Sequence, residues 1–196
     1  MYEKMEGIII AVTNRHLCRG DFLETVRRLA DSDVDSIILR EKDLSEEEYT
    51  RLAETVLNIC EGKKRCILHT YIDVAKRLNC PYIHLPLPEL LQMAEAEPEQ
   101  RFPFLKIGVS VHSKEESIRA WKAGADYLIA GHVFTTDCKK GVPPRGLGYI
   151  QEVSRAVEIP VYGIGGITRR NMAEVVRAGA KGVCIMSGMM NESCIF

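Results

Sequence analysis

The sequence predicts an α/β fold, a TIM (β/α)8 barrel with a shortened or missing eighth helix. Three observations carry this expectation. Eight short apolar runs alternate with amphipathic stretches, which is the pattern of a parallel sheet wrapped by helices. The number of runs favours a closed barrel over an open, doubly wound sheet. No linker, low-complexity tract or composition shift divides the chain, so residues 1–196 are read as one domain.

The elements follow in order. The first strand is placed at Gly7–Thr13, with a helix at Asp21–Ala30. The second strand, Ser36–Glu41, leads to a helix at Ser45–Cys60. "DLSEEEY" marks the start of that helix, with Ser45 as N-cap and Glu48 three residues on, a capping box. Strand three, Arg65–His69, precedes a helix at Ile72–Leu78; strand four, Tyr82–Pro86, precedes one at Leu90–Glu97. Strand five is Lys106–His112, where Ile107, Val109 and Val111 alternate with Gly108, Ser110 and His112. A helix at Lys114–Ala123 follows and ends at Gly124. Strand six, Tyr127–Phe134, gives way to a long loop and then a helix at Leu147–Val157. Strand seven is Val161–Gly165, with a helix at Arg170–Ala178 that stops at Gly179. Strand eight, Gly182–Ser187, leaves only "GMMNESCIF" for the last helix. That helix is reduced to a turn or a partner subunit covers the gap. An uncovered flank would be apolar, so oligomerisation is expected.

Composition excludes several classes. Lysine plus arginine number 26 and aspartate plus glutamate 27, a net charge of −1, so neither nucleic acid nor a membrane surface is expected as partner. The apolar runs are too short to span a bilayer, and "MYEKMEG" is not followed by a signal-peptide core. The seven cysteines are odd in number and lack a C-x-x-C spacing. They read as free thiols in a reducing cytoplasm.

In a barrel of this type the chemistry sits at the carboxyl ends of the strands. Arg40 and Lys42 share one face at the end of strand two, where two cations suit an anionic ligand, although a solvated rim is the equal alternative. "GIGGIT" closes strand seven and "MSG" closes strand eight. Glycine lets a backbone approach a ligand closely, and loops seven and eight commonly build a phosphate site. Gly165, Gly166, Ser187 and Gly188 are therefore a phosphate-cup candidate. "HVFTTDCKKGVPPRG" is long for a βα connection and carries donors, Thr136 and Lys139 among them, that could close over an anion. Cys138 in that loop has no paired base and reads as a spectator thiol. Four histidines, His69, His84, His112 and His132, fall at or near strand ends, but no HxH or HxxxH spacing marks a metal site. His84 sits mid-strand and fits a buried, hydrogen-bonded role. His112 reaches the rim, with small residues below it that would leave room for a ligand over the imidazole.

The blocks "LREKDL", "IHLP", "IGVSVHS", "GADYLIAGHVFTTDCKKG", "IPVYGIGGIT" and "AGAKGVCIMSG", in this order, resemble the thiamine phosphate synthase/TenI family over nearly the whole chain. The family resemblance implies a TIM barrel, a homodimer and one of two chemistries. A thiamine phosphate synthase joins a pyrimidine diphosphate to a thiazole phosphate with Mg²⁺ on the diphosphate. Where that branch has Asn-Asp, this chain has His69–Thr70, and Glu89 roughly replaces its second aspartate. Arg40, Lys42 and Lys139 match synthase positions. "GHVFTTDCKKG" is closer to the TenI pattern, a thiazole tautomerase. On that resemblance the expected activity is an isomerase that aromatises a carboxythiazole phosphate, without cofactor or metal, His112 being the implied acid/base. Arg40, Lys42 or Lys139 would pair the substrate carboxylate. The alternatives are the synthase, with Mg²⁺, and a non-catalytic regulatory protein that binds thiazole phosphate or thiamine phosphate.

Overall fold

The computed structural model describes residues 7–96 and 104–191. Expectations that touch other residues, the last position of the fourth helix at Glu97, Cys194 and the segment after Asn191, lie outside the described residues. Eight parallel strands close into a barrel in chain order: β1 (Ile8–Val12), β2 (Ser36–Leu39), β3 (Arg65–His69), β4 (Tyr82–Pro86), β5 (Lys106–Val111), β6 (Tyr127–Gly131), β7 (Val161–Ile164) and β8 (Gly182–Ile185). β1 pairs with both β2 and β8, which closes the ring.

Each strand is buried on both faces, by different neighbours. Ile10, Val12, Ile38, Ile67, Tyr127, Ile129, Tyr162 and Cys184 fill the barrel interior. The alternate positions, such as Ile9, Ala11, Ile37, Leu39, Ile107 and Val109, pack outward against the helices. Those helices are α1 (Phe22–Ala30), α2 (Glu46–Cys60), α3 (Ile72–Arg77), α4 (Leu87–Ala96), α5 (Lys114–Lys122), α6 (Gly146–Ala156), α7 (Met172–Arg177) and α8 (Ser187–Met190). The capping box of α2 is present, with the Glu48 N–H donating to Ser45 Oγ and Glu48 receiving the Ser45 N–H. None of these helices is long and apolar enough to cross a membrane.

The eighth helix is a single turn of four residues. Its Met189 and Met190 are nevertheless buried. The turn packs against a 3₁₀ turn, Arg15–Leu17, in the loop after β1, and Cys18 Sγ lies 3.6 Å from Met190 Sδ. The flank between β8 and β1 is thus covered from within the chain by these two methionines and the β1 loop.

Candidate active site

A cavity of about 660 Å³ opens at the carboxyl ends of the strands. A second opening of about 810 Å³, lined by Lys63, Lys64, Arg65 and Tyr162 among others, lies at the amino ends. Barrels of this kind carry their chemistry at the carboxyl end, so the smaller cavity is the site.

Arg40 and Lys42 both line it. β2 ends at Leu39, two residues before the expected end at Glu41, and the chain turns across the rim from there. The Arg40 N–H donates to Thr13 Oγ1 at 3.0 Å, and the Thr13 hydroxyl donates to Glu41 Oε1 at 2.7 Å. Glu41, 2% exposed, therefore points away from the cavity while its neighbours point into it. Burial, and then the charge of Arg40, lower the Lys42 pKa.

The floor is a buried polar column. His84 Nε2 lies 2.8 Å from Ser110 Oγ, and His84 Nδ1 lies 3.3 Å from the Tyr127 hydroxyl. Burial, then the charges of Lys42 and Arg40, lower the His84 pKa to about 3, so the ring is neutral. His69 packs beside it, ring centroids 5.4 Å apart, with Nδ1 2.6 Å from Thr70 Oγ1. Burial first, then His84, also holds His69 well below the usual histidine range. Both line the cavity, and His84 has the buried, hydrogen-bonded role expected of it. The space left by Gly108 does not receive a ligand: a Cβ there would stand 2.0 Å from Tyr127 Cζ. The tyrosine ring fills the room that the small residue provides.

Gly165 and Gly166 line the opposite wall, both with positive φ, 102° and 65°. A Cβ on Gly165 would meet His132 Cβ at 2.3 Å, so glycine is required there for backbone conformation and for space alike. Ser187 lines the same wall; Gly188 does not reach the cavity lining. Thr136 and Lys139 line the site from the β6 loop, where Thr136 Oγ1 accepts the Cys138 N–H at 3.4 Å. That loop is anchored by the Val142 carbonyl, 3.2 Å from His132 Nε2. His112 stands on the rim just past β5, exposed, its N–H donating to Glu116 Oε2 at 2.6 Å and its Nδ1 3.6 Å from the same oxygen. Partial burial and then the Lys139 charge lower its pKa.

The structure thus gathers His112, Arg40, Lys42, Thr136, Lys139, Gly165, Gly166 and Ser187 around one cavity. Residues not singled out from the sequence join them: Glu116 and Arg119 from α5, Ser110, and the apolar Leu87, Leu91 and Met186. Glu116 carried a legible signal, because "SKEE" starts α5 with Ser113 Oγ accepting the Glu116 N–H at 3.0 Å.

Comparison with known proteins adds the following. The family model described as thiamine monophosphate synthase (TMP-TENI) matches residues 9–189. The thiamine-phosphate synthase of Pyrococcus abyssi is 36% identical over 94% of this chain and 87% of that protein. The thiamine-phosphate synthase of Shouchella clausii is 34% identical over 91% of this chain and 86% of its own length. Among solved structures, thiamine phosphate pyrophosphorylase from Pyrococcus furiosus superposes with a TM-score of 0.82 at 30% identity, covering 96% of this chain and 90% of that one. These findings correct the expectation of a thiazole tautomerase, an isomerase: the relatives are named as a synthase, which is a transferase. The isomerase reading rested on one loop, "GHVFTTDCKKG", on changed carboxylate positions and on His112 at the end of strand five as the implied acid/base. All three are local features, and similarity along nearly the entire chain outweighs them.

Proposed function

We propose, because the chain belongs to the thiamine monophosphate synthase family, that it joins a hydroxymethylpyrimidine diphosphate to a thiazole phosphate and releases pyrophosphate. The observation that carries this reading is a cavity with cations at the end of β2 and on the β6 loop, and a glycine-lined segment after β7. Arg40, Lys42 and Lys139 supply cations. Gly165, Gly166 and Ser187 offer backbone and hydroxyl groups to a second phosphate. A reaction between two phosphorylated partners needs both sets of groups, and holding the rings between them removes much of the entropic barrier. Neutral His84 braces Ser110 on the floor, so the floor adds no charge where a cationic pyrimidine fragment would develop. Burial and then the Lys139 charge likewise lower the pKa of His112 on the rim.

The family resemblance implies Mg²⁺ on the diphosphate. A small hard cation wants carboxylate oxygens. At the two positions concerned this chain has Thr70 and Glu89, and no group of three His, Cys, Asp or Glu side chains converges among the described residues. Glu89 does keep one buried oxygen without a hydrogen-bond partner. Glu89 is therefore the carboxylate that would hold a magnesium ion on the diphosphate, with Arg40, Lys42 and Lys139 sharing the remaining charge. A cytoplasmic location suits the free cysteines among the described residues, while the homodimer expectation keeps only the family resemblance behind it, because Met189, Met190 and the β1 loop cover the β8–β1 flank.

The test is pyrophosphate release from the two substrates, followed with and without added Mg²⁺. Turnover that falls by at least about tenfold in Lys42→Ala is expected, since a charged hydrogen bond to phosphate is worth about 1.5–3 kcal/mol. No pyrophosphate from the purified protein under either condition would remove the reading.

A further inference from the structure

Arg40 and Lys42 alternate with two acids in the sequence, Glu41 and Asp43. Carboxylates so close would be the natural partners of these cations and would cancel them. They are engaged elsewhere. The Arg15 guanidinium stands 3.2 Å from Glu41 Oε2 and forms a two-pronged pair with Asp43. The Arg15 N–H also reaches both Glu41 oxygens at 3.1 Å. His16 Nε2 adds a contact to Asp43 at 2.9 Å. Arg15 is only 28% exposed in its side chain, and it does not line the cavity. Arg40 and Lys42 have no ion-pair partner among the described residues.

We propose that Arg15 is a positioning residue that sets the anion affinity of the cavity by sequestering Glu41 and Asp43. One arginine outside the site holds both acids on the far side of the β2 rim. Arg40 and Lys42 are thereby left without an ion pair to either neighbouring acid and line the cavity, Glu89 being the acid that acts on Lys42 from a distance. The bidentate geometry matters, because a planar guanidinium can bridge two carboxylates where a lysine ammonium holds one. This inference rests on the cationic wall of the proposed function, but not on catalysis.

The experiment uses inorganic pyrophosphate as probe and isothermal calorimetry as readout, so it is independent of turnover. Arg15→Ala releases Asp43 and is expected to weaken pyrophosphate binding about three- to fivefold, the scale of a rim charge. Adding Asp43→Asn to Arg15→Ala removes the released charge and is expected to recover most of the affinity. Arg15→Lys is expected to fall between the two. Circular dichroism and a thermal melt accompany each variant. A loss of affinity that Asp43→Asn does not recover, in a folded protein, would assign Arg15 a purely structural role. Unchanged affinity in Arg15→Ala would sink the proposal outright. If Arg15→Ala does not fold, Asp43→Asn alone decides: in the wild-type background it is expected to leave affinity unchanged, because Asp43 is already engaged, and a gain of threefold or more would overturn the inference. Should the protein bind pyrophosphate with the expected pattern yet release none from substrates, the proposed function fails and this inference stands.

Discussion

His84 shows how one buried residue reports on its surroundings. It is 1% exposed, neutral, and bonded to Ser110 and Tyr127. Its pKa in the fold is about 3, whereas an unfolded histidine titrates near 6.5. Below pH 6.5 the unfolded chain therefore binds a proton that the folded one refuses. Stability rises with pH in that window and is lost as pH falls from about 6.5 toward 3. His69 acts in the same direction. Urea unfolding between pH 4 and 7 is expected to show this slope, and His84→Gln to flatten it measurably. An identical slope in the variant would mean that other groups govern the acid limit. The buried, hydrogen-bonded role was legible in "YIHLP", but the partners were not, because Tyr127 lies on a strand two positions round the barrel.

At the level of elements, the alternation of apolar runs located all eight strands. Their ends were less legible, since a strand end is where polar site residues begin. "ILREKD" reads as strand through Glu41, yet the ladder stops at Leu39 because Glu41 and the Arg40 N–H are drawn to Thr13. The seventh helix likewise starts at Met172, after Asn171 Oδ1 has accepted the Thr168 N–H. Gly108 was legible as small, but its use depends on the β5–β6 register, which sets it opposite Tyr127. Tyr49 illustrates how helices and strands are joined. From α2 its hydroxyl donates to the Leu39 carbonyl at 2.7 Å and accepts the His69 N–H at 2.9 Å. It thus ties the ends of β2 and β3, on either side of the site, to one helix. Tyr49 is 0% exposed, so Tyr49→Phe strands two buried backbone groups without replacing them. A loss of about 1–3 kcal/mol is expected in denaturant unfolding, with little change in overall secondary structure. A loss below about 0.5 kcal/mol would show that water or relaxation supplies the missing partners.

For the whole molecule, charge is nearly balanced, 26 basic against 27 acidic residues, yet its distribution is not. The cavity is lined by Arg40, Lys42, Arg119 and Lys139, with Glu116 the acid that faces it. A nearly neutral protein with a cationic pocket attracts anions locally rather than over its surface, which is why composition alone pointed to no charged partner. The low-dielectric barrel wall concentrates that field, and mobile ions oppose it over a Debye length of about 8 Å at physiological salt. Raising KCl from about 0.05 to about 0.5 M is therefore expected to weaken pyrophosphate binding roughly three- to tenfold. An uncharged thiazole alcohol, which lacks phosphate, is expected to bind with little salt dependence. The comparison separates screening of the pocket from a general effect of salt on the fold. If both ligands weaken alike, salt acts on the protein as a whole; if neither does, the four cations are not the source of anion affinity.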